Sequence, residues 1–258
     1  MMLVVLLTFR AVLPSGAKLK SIGAALSKLT DEVPFKATSN GLSIRVMSPD
    51  KTVLLDVLLP PQSFQEYEVD EEVSFVVSTS DLNRVLRRGT RNDLLVFELE
   101  KDKSVLRVGL RNKKTGVERS FYVELKPRVP EEVPELDIEL GVTFRISTSD
   151  LKLLFKDVKS VGEEVMFHYK AGKLYVSAQE QQYRYEGVFE EGFPLKALEA
   201  VVEEAQSRYS VDTLALILRA SGASKDVSIS FDTDKPLKAV YEMEGGGTIT
   251  YYVAPRAS

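Results

Sequence analysis

Residues 75–88 read Phe75-Val-Val-Ser-Thr-Ser-Asp-Leu-Asn-Arg-Val-Leu-Arg-Arg88, and residues 144–157 read Phe144-Arg-Ile-Ser-Thr-Ser-Asp-Leu-Lys-Leu-Leu-Phe-Lys-Asp157. Ser-Thr-Ser-Asp-Leu is identical in the two segments, and basic residues follow it in both. In the first copy, Ser80 or Asp81 is a suitable N-cap for a helix whose apolar residues face inward. A recurring basic helix predicts one charged surface that is built several times, as suits a long polyanion bound without sequence readout.

The spacing of predicted helices extends this repeat over the whole chain. Helices are expected to begin near residues 15, 80, 149 and 210, and strands follow each of them. The first helix covers residues 14–29, with Leu19, Ile22, Leu26 and Leu29 inward; the third covers 149–160 and the last 210–220. The predicted strands are 35–38, 42–47, 53–59, 94–99, 105–110, 119–125, 165–169, 174–178, 183–189, 227–231, 237–243 and 248–253. Four similar helix-plus-strands units indicate a duplicated α+β fold.

Composition describes a globular protein of two ordinary domains. The 258 residues are 44% hydrophobic and 28% charged, and cysteine is absent, which excludes disulfides and favours an intracellular setting. The formal net charge is −4, from 34 Lys and Arg against 38 Asp and Glu. That sum argues weakly against nucleic acid, unless the charges are segregated on the surface.

A proline-rich segment near the middle of the chain predicts a linker. Lys126–Asp137 contains Pro127, Pro130 and Pro134, which disfavour both a helix and a central strand, and places a domain boundary at about residue 130. The apolar start, Met1–Leu7, predicts a buried strand rather than a signal peptide, since it lacks a basic flank and a clean cleavage site. No apolar run is long enough to span a membrane.

The sequence offers little support for catalysis. His168 is the single histidine, and zinc ligands are lacking, so nucleophile–base pairs and zinc sites are disfavoured. Acidic runs at residues 66–72, 131–135 and 203–204 could in principle bind a metal, but they are predicted to lie in loops or on solvated faces. Gly245–Gly247 lies between two strands and predicts a hairpin turn rather than a nucleotide loop.

Basic residues recur on the predicted helices, where a solvated face is the usual explanation for any single helix. Arg84, Arg87 and Arg88 share one helical face, as do Lys152, Lys156 and Lys159. The first helix carries Lys18, Lys20 and Lys28, and the fourth region carries Arg208, Arg219 and Lys225. Repetition across units favours a polyanion-binding surface, which Asp81, Asp157 and Asp212 dilute.

Four stretches resemble the sliding clamps related to proliferating cell nuclear antigen, in their archaeal form. They are Ser39-Asn-Gly-Leu-Ser-Ile-Arg-Val-Met-Ser-Pro-Asp-Lys-Thr-Val-Leu54 with Phe64–Asp70, Lys235-Pro-Leu, and Thr250-Tyr-Tyr-Val-Ala-Pro-Arg256. The resemblance covers essentially the whole chain. It implies the clamp fold, with an N-terminal domain over 1–126, a connector over 127–138 and a C-terminal domain over 139–258.

The resemblance implies a trimeric ring whose helices line a hole that encircles duplex DNA, with sheets outside. The DNA-binding positions carried over are Lys20, Arg84, Arg87, Lys156, Lys159 and Arg219, with Lys152 a weaker candidate. Ser27 and Asp212 stand at positions that are usually basic in the family, which predicts modest DNA contact. The strands around 117–123 and 183–189 would pair between subunits.

The resemblance also implies a surface for partner proteins with a short aromatic-anchored motif. Its positions here are Met47, Thr52, Leu54, Leu136, Ile138, Pro236, Tyr252, Ala254 and Pro255. Expected partners are DNA polymerase, a clamp loader, flap endonuclease and DNA ligase, besides duplex DNA and self or paralogous subunits. The implied protein is a non-enzymatic, cytoplasmic, nucleoid-associated processivity factor of replication and repair, without cofactor or metal. The alternative is a subunit of a heterotrimeric clamp that acts mainly as a protein scaffold.

Overall fold

The structure is a computed structural model that describes residues 7–101 and 103–256. Its helices are α1 (Lys20–Leu26), α2 (Thr79–Leu86), α3 (Thr148–Lys159) and α4 (Val211–Leu214), with 3-10 turns at Pro61–Ser63 and Ile217–Ala220. Its strands are β1 (Leu7–Leu13), β2 (Glu32–Thr38), β3 (Gly41–Met47), β4 (Val53–Leu59), β5 (Glu66–Val69), β6 (Val73–Ser78), β7 (Asp93–Glu100), β8 (Val105–Asn112), β9 (Glu118–Glu124), β10 (Val142–Ser147), β11 (Glu164–Lys170), β12 (Lys173–Glu180), β13 (Tyr183–Phe189), β14 (Leu195–Ala200), β15 (Glu204–Ser210), β16 (Asp226–Phe231), β17 (Leu237–Glu242) and β18 (Thr248–Val253). Residues 1–6, where the N-terminal strand was predicted, lie outside the described part.

The sequence repeat is a strand-to-helix junction closed by the same serine cap. Ser78 caps α2 by accepting the Asp81 backbone N–H at 3.4 Å, and Ser147 caps α3 by accepting the Asp150 N–H at 3.1 Å. Ser210 closes the junction before α4 in the same way. The predicted cap at Ser80 or Asp81 is therefore wrong by two or three residues, because the first serine of the motif, at the end of the strand, satisfies the free N–H of the first turn.

The last helix is shorter than predicted. The expected helix over 210–220 is instead the single turn of α4 followed by a 3-10 turn, in which the Arg219 N–H donates to the Leu216 carbonyl at 3.0 Å. The hydroxyl of buried Tyr241 donates to the Ile217 carbonyl at 2.9 Å. This tertiary bond engages a carbonyl within the turn and overrides the helical propensity of the leucines and alanines around it.

The first helix is also shorter than the predicted 14–29 segment. The Gly16 N–H donates to the Asp93 carbonyl at 2.7 Å, and a Cβ on Gly89 would lie 2.3 Å from the Gly16 carbonyl oxygen. These contacts hold residues 14–19 as a turn, so α1 begins only at Lys20. The apolar positions expected to face inward are nevertheless buried, as Ile22 and Leu26 illustrate.

The chain divides into two compact units. The first contains residues 7–46, 55–133 without 102, and Met243–Ile249; the second contains Met47–Leu54, Pro134–Glu242 and residues 250–256. The chain leaves the first unit for the second between Val133 and Pro134, inside the proline-rich linker. The domain bounds 1–126 and 139–258 stay a prediction.

The first unit is built from antiparallel strands around an aromatic core. One sheet has the order β5-β1-β7-β8-β9, and a second set has the order β4-β3-β2-β6. Phe75, the first residue of the repeated motif, is buried and stacks on Phe35 with 5.1 Å between ring centroids. Phe35 in turn lies 6.2 Å from Phe97 on β7, so the core joins strands of both sets.

The second unit repeats this plan. Its strand orders are β13-β12-β11-β15 and β14-β10-β16-β17-β18. Phe144, which corresponds to Phe75 in the repeat, lies 6.1 Å from Phe167, and Phe167 lies 5.9 Å from Phe231. In both copies of the motif, the first phenylalanine therefore packs in the aromatic core of its unit. The predicted α+β class is confirmed.

The predicted list lacks six of the strands in the described residues: β1 beyond Leu7, β5, β6, β10, β14 and β15. Residues 64–70, which contain β5, were expected to form a strand only from the resemblance. The strands β14 and β5 show why sequence pattern alone did not identify them. β14 reads Leu195-Lys-Ala-Leu-Glu-Ala200, in which only Leu195 is buried, and its composition resembles that of a helix. β5 lies within the acidic run 66–72, which the sequence had placed in a loop or on a solvated face. Both stand at the ends of their strand orders, where solvent accepts charged side chains.

Candidate nucleic-acid interface and partner-binding surface

The helices of the first unit carry exposed cations on neighbouring elements. Arg84 is exposed on α2, and Arg87 is exposed directly after the last residue of that helix. Lys20 begins α1 with a partly exposed side chain. The two helices are in close contact: a Cβ on Gly23 would lie 2.9 Å from the Asn83 side-chain oxygen. Glycine on α1 thus lets α2 approach closely, so that Lys20, Arg84 and Arg87 belong to two packed segments.

The third helix presents lysines on one face and packs with the other. Lys152 and Lys156 are exposed and four residues apart, whereas Leu151, Phe155 and Val158 are buried. Leu153 is an exception, since it is exposed at the position that corresponds to Arg84 in the first copy. The last candidate, Arg219, is exposed on the 3-10 turn after α4.

Carboxylates neutralise part of this positive charge. The Lys159 Nζ lies 2.6 Å from the Asp212 Oδ1, which links the end of α3 to α4. Arg84 pairs more loosely with Asp81, at 3.5 Å between side-chain atoms. Among residues 7–101 and 103–256, the carboxylates form no ion pair with the remaining candidates, which are Lys20, Arg87, Lys152, Lys156 and Arg219. The second unit's surface is therefore weaker in charge than the count of lysines suggests.

The turn between β3 and β4 orders the first group of predicted partner-binding residues. The Asp50 Oδ1 accepts the Ser48 hydroxyl at 2.6 Å, the Thr52 hydroxyl at 2.8 Å and the Thr52 N–H at 3.1 Å. The Ser48 hydrogen bond is the main reason that the pKa of Asp50 is lowered from its usual value, and the bonds from Thr52 add to it. At one end of the turn Met47 is 37% exposed, whereas Leu54 is only 4% exposed. Met47 is therefore accessible, and Leu54 is part of the core beneath.

The C-terminal segment lies against this turn. The Ala254 N–H donates to the Thr52 carbonyl at 2.8 Å, so two of the predicted segments are brought together. Tyr252 is partly exposed, and the Lys238 Nζ lies 5.7 Å from its ring centroid. Pro236 and Pro255 are also partly exposed. An apolar strip with an aromatic ring can accept an inserted side chain of a peptide.

The linker residues of the predicted surface lie in irregular backbone. Leu136 is 39% exposed and Ile138 is partly exposed. One contact of this segment is a hydrogen bond from the Lys235 Nζ to the Glu139 carbonyl, at 3.1 Å. The Tyr209 hydroxyl donates to the Lys235 carbonyl at 2.9 Å and secures the other side of that lysine.

Some contributing residues were not identified from the sequence. Asp50 orders the partner-binding turn, and the Ser48-Pro-Asp-Lys-Thr52 pattern is the signal that could have revealed it. Lys238 was not among the predicted partner-binding residues. Its position beside Tyr252 depends on the register of the strands, which residue type does not reveal. Arg88, grouped with the helix cations, lies over the ring of Phe121 at 5.8 Å and has a packing role besides its charge.

The residues considered above for catalysis, nucleotide binding and metal binding have structural positions in the strands and turns. The His168 Nε2 lies 2.7 Å from the Glu204 Oε1 on the neighbouring strand β15. Gly247 accepts the Met243 N–H through its carbonyl at 2.7 Å, so the triple glycine forms a turn between β17 and β18. In the described ranges, no three His, Asp or Glu side chains are grouped to hold a metal ion. None of the helices in those ranges is both long and apolar enough to cross a bilayer.

Comparisons with known proteins agree on one family. Residues 8–128 match the family described as proliferating cell nuclear antigen, N-terminal domain. A DNA polymerase sliding clamp of Thermococcus fumicolans is 30% identical over 254 residues, which cover 96% of this chain and 98% of that protein. Among solved structures, PCNA from Thermococcus kodakaraensis superposes with a TM-score of 0.89 at 28% identity, covering 96% of this chain and all of that one. A chain of the PCNA2–PCNA3 complex from Sulfolobus tokodaii gives a TM-score of 0.85 at 27% identity, with the same coverage.

Proposed function

We propose that this chain, which belongs to the family of DNA polymerase sliding clamps, is a processivity factor whose trimeric ring encircles duplex DNA and tethers replication and repair proteins. The observation that carries the proposal is the repeated junction of strand, serine cap and helix, because in both units the exposed helix face bears cations opposite buried apolar residues. Such a surface attracts phosphates of any sequence, and enclosure of the DNA makes high affinity unnecessary.

Ring closure is proposed to use the strands β9 and β13. Each stands at one end of its strand order, with a neighbour on one side only within the described residues. Tyr122 on β9, and Tyr183 and Val188 on β13, are exposed large side chains. Unpaired edges with apolar side chains would be aggregation sites in a monomer, and pairing β9 of one subunit with β13 of the next would remove them.

Partner proteins are proposed to bind the strip formed by Met47, Thr52, Pro236, Tyr252, Ala254 and Pro255, with Leu136 and Ile138 beside it. The hydrogen bond between Ala254 and Thr52 supports this assignment because it fixes two parts of the strip against each other. The polymerase, clamp loader, flap endonuclease and ligase are the proposed partners. The chain itself is proposed to act without catalysis.

A heterotrimeric clamp is the second candidate, in which this chain acts mainly as a scaffold. Its similarity to a chain of the PCNA2–PCNA3 complex favours it, as does the ion pair that neutralises Lys159. Light scattering of the isolated chain separates the two arrangements. A particle of three times 28.8 kDa supports a homotrimer, and a monomer that gains mass only with related subunits supports the heterotrimer.

The DNA-binding role is tested by charge reversal of Arg84, Arg87 and Lys156 in one variant. We expect stimulation of a polymerase on primed circular DNA to be lost, because the helix surface would then repel phosphates. A matched control reverses the exposed lysines of the strand connections, Lys101, Lys103 and Lys114, and should retain stimulation. Equal activity of the two variants would remove the helices from the DNA surface.

A further inference from the structure

The first unit contains a basic cavity whose lining shares no residue with the two surfaces described above. Its volume is about 530 Å³, and its lining includes Lys18, Arg91 and Lys113. Glu244 is the one carboxylate in that lining, which leaves two positive charges in excess. A cavity of this size accommodates a small ligand or a segment of a polymer.

The cavity lies at one end of the helix pair α1 and α2. Lys18 precedes α1 by two residues, and Arg91 follows the end of α2. The contact between Gly16 and Gly89 joins the turn before α1 to the turn after α2, so both cations are at the same end of the pair. The cavity therefore continues the cationic surface of Lys20, Arg84 and Arg87 into the loops.

Backbone carbonyls hold two of the three cations in place. The Lys18 Nζ donates to the Glu244 carbonyl at 3.2 Å, and the Lys113 Nζ donates to the Arg91 carbonyl at 3.0 Å. An ammonium has three N–H donors, so each retains donors for a ligand. The Glu244 carboxylate lies 3.4 Å from Lys18, but its side chain is 90% exposed, and solvent weakens that pair.

The opposite wall of the cavity is closely packed. Gly245 has a φ of +89°, and a Cβ there would lie 3.0 Å from the Ser63 Cα. The Ser63 hydroxyl donates to the Gly245 carbonyl at 2.9 Å, which fixes the turn over the Pro61–Ser63 segment. A wall fixed in this way does not need to be ordered when a ligand binds, which lowers the entropic cost of binding.

We propose that this cavity binds a phosphate group, and that in the working protein the phosphate belongs to the backbone of the nucleic acid that lies along α1 and α2. Arg91 offers a planar guanidinium that can bind two phosphate oxygens, and the lysines supply flanking charge. This inference rests on the proposed function. It adds a phosphate contact made by loop residues to the phosphate contacts made by the helices.

The test combines two phosphate sources with matched variants. Arg91→Gln with Lys113→Gln removes two charges and keeps hydrogen-bonding side chains, and Lys114→Gln removes a neighbouring charge that does not line the cavity. One arm follows the phosphorus-31 linewidth of inorganic pyrophosphate with the full chain. The other follows the anisotropy of a labelled DNA duplex over a range of salt concentrations.

We expect the Arg91/Lys113 variant to lose the broadening of the pyrophosphate signal. The plot of its log association constant for DNA against log salt concentration should also become shallower, by about 1 in the magnitude of the slope. Lys114→Gln should change neither result, and equal thermal unfolding of the variants excludes misfolding. Loss of the pyrophosphate response with an unchanged DNA slope would overturn the nucleic-acid assignment and leave a small phosphate ligand. No change in either arm would overturn the site.

Substitution of Arg84 and Arg87 separates this inference from the proposed function. If these helix variants lower the DNA slope and the cavity variant does not, the clamp proposal stands and the cavity proposal fails. If the helix variants leave the slope unchanged, the proposed function fails, whatever the cavity binds.

Discussion

The ion pair between Lys159 and Asp212 makes a quantitative prediction about DNA affinity. Asp212→Asn keeps the size of the side chain and removes the carboxylate that lies 2.6 Å from the lysine Nζ. The freed ammonium should then form one additional phosphate contact, which steepens the slope of log K against log salt by about 0.9. The ratio of association constants between about 50 and about 200 mM salt should therefore rise by roughly 3.5-fold.

The fold itself should tolerate this change. The Lys159 and Asp212 side chains are 61% and 78% exposed, so loss of their pair should lower the free energy of unfolding by less than about 1 kcal/mol. DNA binding is measured by anisotropy with a labelled duplex, and unfolding by urea titration. Glu199→Gln, on an exposed position of β14, removes the same charge elsewhere and serves as the control.

Three outcomes would show whether Lys159 faces the DNA and whether the effect of Asp212 is local. An unchanged salt dependence in Asp212→Asn would show that Lys159 does not face the DNA. The same increase in Glu199→Gln would attribute the effect to net charge instead of the local pair. A further increase in Asp212→Lys, which adds a cation at the same place, is expected if α3 and α4 lie against phosphates.

Further predictions concern the partner-binding strip and the repeated cap. Tyr252→Ala should weaken a motif peptide by more than tenfold, or about 1.4 kcal/mol, in calorimetry; Leu54→Ala, at a buried site, should instead lower the free energy of unfolding by about 2–5 kcal/mol. Because hydrogen bonds lower the pKa of Asp50 in the folded chain, its stabilising effect is complete above the unfolded value of 3.8 and is lost as pH falls through the lowered pKa. Peptide affinity should thus be constant between about pH 5 and 8 and fall in stronger acid, and Asp50→Asn should lack that fall; an identical profile in the variant would contradict the role of Asp50. Ser147→Ala should lower the free energy of unfolding by about 1 kcal/mol in urea titration, because α3 loses its cap.

The sequence predicted best where local chemistry and burial agree. The bounds of β4, β13 and β18 follow from runs of strand-forming residues between turn signals, and the repeated motif located α2 and α3 within a residue. Phe75 and Phe144 are core residues in both copies because each precedes the cap at the same distance. Such features depend on neighbours in sequence.

Prediction was poorer where contacts between segments distant in sequence determine the bounds of an element, the burial of a residue or an ion pair. The break after α4 involves a hydrogen bond from Tyr241, and the late start of α1 depends on the contact of Gly16 with Gly89. Similarly, the burial of Leu54 and the pairing of Lys159 with Asp212 could not be read from residue type. Their physical cause is packing between segments far apart in the chain.

The most direct test of the clamp account asks whether the protein is linked topologically to DNA. The chain, with related subunits if it needs them, is loaded onto nicked circular DNA by a clamp loader and passed through a sizing column at high salt. The account predicts that the protein elutes with the intact circle and is released once a restriction enzyme linearises it, because salt screens phosphate contacts while enclosure persists. Equal retention on circular and linear DNA, or none on either, would contradict it.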